Sequence, residues 1–431
     1  MANFRKTVKK IIPINLFKQI EPIGHLVESV AANIKYGFPS KGMHVIGATG
    51  TNGKTTTTFL IHKMLTEAGY KSAMMSTVAY GIGNDIKQQT EHVTTADAFN
   101  LQKRLRDYKR AGVEWLVLET SSHSLAQYRV WGVPYQIAVM TNVTGDHLDY
   151  HGTFDNYLNA KKRLFTIVGK NKLGFGVVNA DDDNVEKFTK SMPRTITYGI
   201  GKGELIASDV KLASDKSTFT ATIGQDEYNI QINIPGEFNV SNALAAIAVG
   251  REVGLNREQI EQGVKSLDGV EGRMTVINEG QRFKVIVDFA STPDAFDKLF
   301  ESVRPVTKGK LIAVFGSAGR RDESKRAVQG EIAGRYCDEV ILTEEDDRDV
   351  DGNEILAQIA SGAGKAGKIK DKDMFLILDR KKAIKFALGR ASNPEDTIVL
   401  LGKGHEKTIE RADGEHYWNE IEITKKFLRE I

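Results

Sequence analysis

Cysteine is almost missing from this chain: Cys337 is the single thiol in 431 residues. One sulfur closes no internal bridge, so a disulfide framework is excluded, and a reducing compartment, the cytoplasm, is the expected location. Long apolar runs are missing too. No stretch approaches the roughly 18 residues that a spanning helix needs, so no membrane span is expected. A strong charge of either sign is also lacking, with 59 Lys and Arg against 56 Asp and Glu. The balance of +3 suits anionic small substrates and does not call for nucleic acid. Internal repeats and low-complexity tracts are absent. The amino terminus carries Arg5, Lys6, Lys9 and Lys10 and then Ile11-Ile12-Pro13, too broken for the apolar core of a signal peptide. It reads as an amphipathic surface helix or, preferably, as a segment docked on its own protein.

What is present is an ordinary globular composition, 41% hydrophobic and 27% charged, spread over a length too great for one core. Two or three domains are expected. The densest signal is Gly47-Ala48-Thr49-Gly50-Thr51-Asn52-Gly53-Lys54-Thr55. The apolar strand Met43-His44-Val45-Ile46 precedes it, and a helical pattern from Thr56 to Ala68, closed by Gly69, follows. Strand, glycine turn and helix make a phosphate cradle, in which backbone N–H groups and the helix N-terminus face the anion. Lys54 reaches the terminal phosphates and the Thr55 hydroxyl binds Mg²⁺. The strict pattern has glycine where Ala48 stands. The bland alternative is a glycine turn with a chance Lys-Thr.

From 43 to about 190 strands and helices alternate. Trp115 to Leu118 and Gln136 to Met140 are continuous apolar runs, as buried parallel strands should be. Asp155 to Ile167 reads as a helix. From about 195 to 235 the pattern alternates in twos, which predicts antiparallel strands at the sheet edge. Asn242 to Val253 is an apolar helix ended by Gly254. A second α/β unit has strands at Leu311 to Phe315, Val340 to Thr343, Met374 to Leu378 and Thr397 to Leu401. The fold class is therefore α/β: a short N-terminal segment (1–40), a central P-loop parallel-sheet ATPase domain (41–304) and a smaller C-terminal Rossmann-like α/β domain (305–431). Pro305 and Gly309 set the boundary.

A P-loop enzyme needs an acid at the end of a neighbouring strand to hold its metal. Glu119 ends the Trp115–Leu118 run and is the natural carboxylate. The stretch Thr141 to Gly152 follows another buried strand and carries Asp146, His147, Asp149 and His151. A histidine there is a metal ligand or, as the plainer alternative, a hydrogen-bonded loop residue.

Gly47–Thr57, Glu119-Thr120-Ser121-Ser122-His123, Thr141-Asn142 with Asp146-His147-Leu148-Asp149, and Tyr157 through Ala160-Lys161 occur in the order found in the Mur ligases. So do Pro235 through Asn242, Gly272-Arg273-Met274 and Gly402-Lys403-Gly404-His405-Glu406. The chain resembles that family from about residue 43 onwards, and within it the MurE branch, which adds the third residue of the peptidoglycan stem peptide. The resemblance implies a cytoplasmic, monomeric, ATP-dependent amide ligase working through an acyl phosphate. Gly50, Thr51, Asn52, Gly53, Lys54, Thr55 and Thr56 would cradle ATP, with Asn239 and Asn242 towards adenine, Asp288 at the ribose and Arg273 at the γ-phosphate. Thr55 and Glu119 would hold one of two Mg²⁺ ions. His147 and Lys161, the latter as a carbamate formed with CO₂, would support the second. Lys54, Lys161, His147 and Arg273 are the implied catalytic groups.

The same resemblance gives Thr94, Thr95, Ser121, Gln127 and Arg129 to the acceptor, UDP-MurNAc-dipeptide. It gives Arg321, Asp346, Arg348, Gly402 and Glu406 to the incoming diamino acid. Several positions depart from the family pattern. Ser291 replaces a histidine, Ala96 a proline, and Glu345-Asp346-Asp347-Arg348 the Asp-Asn-Pro-Arg of diaminopimelate-specific members. The kept arginine favours diaminopimelate, while the added acids suit the free amine of lysine. Only about 40 residues stand where the usual UDP-binding domain lies, and they suffice for one or two helices. Two alternatives remain open: a Mur-like ligase using L-lysine or a different, non-UDP acceptor, and a non-catalytic nucleotide-binding partner.

Overall fold

The computed structural model describes residues 14–89, 93–213 and 215–430, with the backbone alone for 14–20. The basic cluster Arg5 to Lys10 and the Ile11-Ile12-Pro13 break lie outside the described residues.

The first sheet contains β1 (His44–Thr49), β2 (Ser72–Met75), β3 (Ala79–Ile82), β4 (Asp85–Gln88), β5 (Trp115–Glu119), β6 (Tyr135–Met140), β7 (Phe175–Asn179), β8 (Thr195–Gly199), β9 (Leu205–Leu212), β10 (Ser217–Ile223) and β11 (Asp226–Ile232). Its order is β11-β10-β9-β8-β7-β6-β1-β5-β2-β3-β4. The centre is parallel, and both edges are antiparallel: β9-β10-β11 on one side and β2-β3-β4 on the other. β8, expected among the antiparallel strands, runs parallel to β7.

Alternate residues of each central strand feed different cores. Ile46, Ala48, Val117 and Val139 pack with the helices Lys54–Glu67 and Glu237–Val253. Val45, Leu116, Leu118 and Met140 pack with Ala98–Arg110 and Phe154–Val168. A sheet covered on both faces explains why these strands read as unbroken apolar runs. Gly254, at φ +88°, closes the helix Glu237–Val253 in the left-handed conformation that glycine adopts without a Cβ clash.

The second sheet contains β12 (Thr275–Ile277), β13 (Lys284–Asp288), β14 (Leu311–Phe315), β15 (Glu339–Leu342), β16 (Met374–Leu376) and β17 (Thr397–Leu401), in the order β12-β13-β17-β14-β15-β16. A small hairpin, β18 (Thr408–Arg411) and β19 (Gly414–Tyr417), stands beside it. The boundary expected at 305 is corrected by this topology. β13 pairs in parallel with β17 from Lys284↔Thr397 to Asp288↔Leu401, so the second sheet begins at Thr275. Pro305 lies in a short turn after the helix Pro293–Val303, inside that unit. Cys337 ends the helix Ser324–Tyr336 and is buried, with its thiol pushed well above the usual range by burial.

The N-terminal segment forms a helix, Ile14–Tyr36. It docks through His25, Ser29, Ala32 and Asn33, all buried. Asn33 Nδ2 donates to Ser29 O at 2.9 Å and to Trp131 O at 2.8 Å. Among the described residues no helix is long and apolar enough to cross a membrane.

Candidate active site

β6, β1 and β5 are neighbours, so the segments leaving their C-terminal ends converge. The glycine loop follows β1. Gly53 has φ +85°, and a Cβ on it would overlap Asn242 Oδ1; one on Gly50 would overlap Thr141 Oγ1. The segment after β6 clamps the loop. Thr141 Oγ1 donates to Asn52 O at 2.6 Å, and Asn142 Oδ1 accepts from Asn52 N at 2.9 Å. Thr51 Oγ1 lies 3.0 Å from the Tyr157 hydroxyl. Thr56 is buried in the first turn of the helix that the loop feeds.

Two amines close on this loop from different elements. Lys54 Nζ donates to Thr51 O at 2.8 Å, and Lys161 Nζ donates to Gly50 O at 2.5 Å. Lys161 sits on the helix Phe154–Val168 with its amine 4.3 Å from the centre of the Tyr157 ring. Burial lowers both amines. Nearby Lys54 pushes Lys161 further, well below the ordinary lysine value, against the opposing charges of Asp146 and Glu119.

Glu119 is fully ordered by threonines. Thr55 Oγ1 donates to its Oε2 at 3.0 Å; Thr77 N donates to Oε2 at 2.8 Å and Thr77 Oγ1 to Oε1 at 2.9 Å. Arg273 reaches over from the second unit, its Nη2 3.5 Å from Thr55 Oγ1 and its guanidinium 4.6 Å from the centre of the Phe289 ring. Asp288 anchors that turn: its oxygens accept from Met274 N and Ala290 N, both at 2.7 Å. A second tie joins loop and second unit, Asn52 Nδ2 donating to Asp294 Oδ2 at 2.6 Å. On the other flank Asn242 Nδ2 donates to Asn239 Oδ1 at 3.0 Å and Asn239 Nδ2 to Pro235 O at 2.8 Å.

Beside Lys161 lies a group of rings. His147, at φ +53°, has its ring 4.7 Å from that of His123, which is 5.3 Å from that of His151. Burial, and then the positive charge of their neighbours, lowers His123 and His147 to about 3 and His151 to about 4. All three imidazoles are therefore neutral at pH 7, the form that ligates a metal. The charge of Arg321, an exposed residue of the second unit, adds a smaller part to the lowering of His123 and His147.

The residues assigned to the acceptor gather at the same mouth. Thr95 Oγ1 donates to Glu119 O at 3.0 Å and accepts from Ser121 N at 3.1 Å. Arg129 Nη1 donates to Thr95 O, and the Gln127 side chain bonds Tyr150. Thr94, half-buried, precedes Thr95. A second cluster forms at the ends of β15 and β17. Lys403 Nζ, fully buried, donates to Asp346 Oδ1 at 2.8 Å and Glu406 Oε2 at 2.5 Å. Arg348 Nε donates to Glu410 Oε2 at 2.7 Å and its Nη1 to Gly319 O. Gly402 has φ +101°, and a Cβ there would meet Glu345 Oε2. Asp346, Arg348, Gly402 and Glu406 thus stand together, while Arg321 comes from the loop after β14.

Sequence reasoning missed Thr77 and Glu410, each of which meets its partner across a long sequence separation. Phe289 and Asp294 lie in the stretch Asp288 to Asp294, whose family pattern is legible, but their contacts with Arg273 and Asn52 are not. Among the described residues no three His, Cys, Asp or Glu side chains gather as a metal site. A Thr55 hydroxyl with one carboxylate fits Mg²⁺, which takes its remaining ligands from phosphate and water.

Residues 48–250 match the family model described as the Mur ligase middle domain, and 272–404 the Mur ligase, glutamate ligase domain. A Roseiflexus protein named UDP-N-acetylmuramyl-tripeptide synthetase is 40% identical over 92% of this chain and 80% of its own length. The UDP-N-acetylmuramoyl-L-alanyl-D-glutamate--2,6-diaminopimelate ligase of Clostridium tetani is 39% identical over 94% of this chain and 81% of its own. A solved ligase of that same name is 32% identical, with a TM-score of 0.63 over 90% of this chain and 79% of that one. The MurF ligase of Thermotoga maritima, solved with ADP, shares the fold at a TM-score of 0.67 and 20% identity, over 94% of this chain and 84% of that one.

Proposed function

The chain belongs to the Mur ligase family, and from that premise we propose that it is a MurE-type, ADP-forming ligase. It joins a diamino acid, meso-diaminopimelate, to UDP-MurNAc-L-Ala-D-Glu in peptidoglycan synthesis. The observation that carries this reading is the meeting of Lys54 and Lys161 on one phosphate loop, at Thr51 O and Gly50 O, beside Glu119 and beneath Arg273.

The acceptor carboxylate attacks the γ-phosphate of ATP, giving an acyl phosphate and ADP. The amine of the incoming amino acid then attacks the acyl carbon, and inorganic phosphate leaves. The loop N–H groups, Lys54 and Arg273 neutralise the charge on the transferring group, which is the main demand of such a step. Thr95, Ser121, Gln127 and Arg129 hold the acceptor at the mouth. Asn239 and Asn242 flank the adenine side, and Asp288, with lone pairs left beyond its two backbone bonds, serves the ribose. Thr55 and Glu119 would hold one Mg²⁺ ion and His147 would help hold a second, and the bound metal would supply charge neutralisation at the phosphates. Lys161 fits carbamylation because burial lowers its amine well below the ordinary lysine value, which favours the uncharged form that adds CO₂ and releases a proton. The resulting anion would support, with His147, the second metal position. The first sheet carries the phosphate loop and the acceptor residues, while the second unit brings Arg273 and Asp288 to ATP and holds the cluster for the amino acid. The enzyme acts as a cytoplasmic monomer without nucleic acid.

Arg348 supports diaminopimelate, whose far carboxylate matches a guanidinium. A specific observation favours lysine as the second reading: Glu345, Asp346 and Asp347 crowd the same cluster, and Arg348 already pairs with Glu410. Phosphate release with ATP, Mg²⁺ and UDP-MurNAc-L-Ala-D-Glu decides, comparing meso-diaminopimelate, L-lysine and no amino acid. Release only with diaminopimelate is expected. Release only with lysine keeps the step and reverses the pocket; no release with either moves the proposal to a different acceptor.

A further inference from the structure

The helix Ile14–Tyr36 is mounted with its polar side inward. His25, Ser29 and Asn33 are buried against the first unit, while Ile23, Val27 and Ile34 are 63%, 63% and 66% exposed. With Ala31, also exposed, these residues follow a spacing of three and four and form one outward stripe. A helix on a globular surface shows the reverse arrangement, so the stripe is built for something other than its own core.

Charge identifies the occupant. Residues 1–41 contain seven Lys and Arg against two Glu, a net charge of +5, whereas the whole chain is +3; the other 390 residues are therefore net −2. The helix Ala98–Arg110 packs against Ile14–Tyr36 and holds five Lys and Arg against one Asp. Lys35 Nζ lies 5.5 Å from the centre of the Phe99 ring, and the Arg106 guanidinium lies 5.2 Å from that of Tyr36, so the two basic elements adjoin. Lys35, Lys41, Lys103, Lys109 and Arg110 are exposed. At the same end Trp131, partly exposed, lies 6.4 Å from Phe38 and gives its carbonyl to Asn33. Tryptophan is a residue of the membrane–water boundary.

We propose that this face docks the ligase on an anionic phospholipid surface, with Ile23, Val27 and Ile34 entering the headgroup boundary and the flanking cations meeting lipid phosphates. A second copy of the chain fits less well. A two-fold contact through the stripe would bring two strongly basic regions together, whereas an anionic bilayer neutralises one. The inference goes beyond the ligase reaction and does not depend on which amino acid is used.

The test is co-sedimentation of the full-length protein with phosphatidylcholine vesicles, with and without about 30 mol% phosphatidylglycerol. Binding to the anionic vesicles alone is expected, with a loss of about tenfold or more on moving from low to high salt, because screening shortens the reach of the cations. Val27→Glu with Ile34→Glu should lower binding by a similar factor and leave phosphate release in solution unchanged. Lys103→Glu with Lys109→Glu, which leaves the stripe intact, should do the same and covers the case in which the first variant folds poorly. Absence of binding to anionic vesicles, equal binding to neutral ones, or binding that neither variant weakens overturns the proposal. A concentration-dependent dimer in sedimentation velocity, removed by Val27→Glu and unaccompanied by vesicle binding, also overturns it and assigns the face to a second copy.

Discussion

Replacing Thr77 by valine removes one hydrogen bond from the carboxylate that is to hold Mg²⁺ and changes little else. The side chains have nearly the same shape, and the backbone bond from Thr77 N to Glu119 Oε2 at 2.8 Å survives. What goes is the donation from Thr77 Oγ1 to Oε1 at 2.9 Å. Glu119 is buried, so bulk water does not readily replace the lost donor. A hydrogen bond to a charged group contributes about 1.5–3 kcal/mol. Part of that is the orientation of the carboxylate, and loss of an outer partner of a metal ligand costs roughly 10- to 100-fold in metal affinity. The expected result is an apparent Mg²⁺ requirement raised by about tenfold or more, with kcat largely restored at saturating Mg²⁺. Thr77→Ser, which keeps the hydroxyl, should behave like the parent. Phosphate release titrated against Mg²⁺ measures both. A Thr77→Val protein with an unchanged Mg²⁺ titration would refute the assignment of Glu119 as the metal carboxylate.

Lys161→Ala should abolish ligation, with partial return on adding a short carboxylate; full activity without it removes the carbamate role. Arg348→Ala should lower kcat/KM for diaminopimelate by about tenfold or more while sparing lysine, since a charge-assisted pair contributes about 1.5–3 kcal/mol; equal losses for both substrates sink the pocket assignment. His62, buried between Ser72 Oγ and Gly83 O, is held neutral to about 4 by burial, against the ordinary 6.5. The unfolded chain then takes up the extra proton first. His62's contribution is complete above pH 6.5 and is lost as pH falls through 4, a total of about 3 kcal/mol. Urea unfolding at pH 7 and pH 5 should show a shallower pH dependence in His62→Gln, and an unaltered dependence would count against this.

The parts of the fold legible in the sequence are those whose cause is local or periodic. Trp115 to Leu118 and Leu311 to Phe315 announce buried strands because both their faces are covered. The glycine loop announces itself because Gly53 meets a steric demand of its own turn. The hairpin β3–β4 is not legible: Asp85–Gln88 is exposed along most of its length, so no apolar signal marks it. The allegiance of β12 and β13 is not legible either, since it is decided by hydrogen bonds to a strand more than a hundred residues away. Within the site, Thr55, Glu119, His147 and Lys161 could be named from motif order. Thr77 and Glu410 could not, because a threonine in a turn and an acid on an edge hairpin carry no sign of the distant carboxylate or guanidinium they meet.

The buried position of Cys337 has a practical consequence. With its thiol shielded and kept protonated, the natural chain has no reactive sulfur to compete for maleimide or iodoacetamide reagents. A cysteine placed on each sheet's outer surface can therefore carry a fluorophore without prior removal of Cys337. The distance between the two units, now bridged by Asn52 and Asp294, becomes readable in solution as substrates are added one at a time.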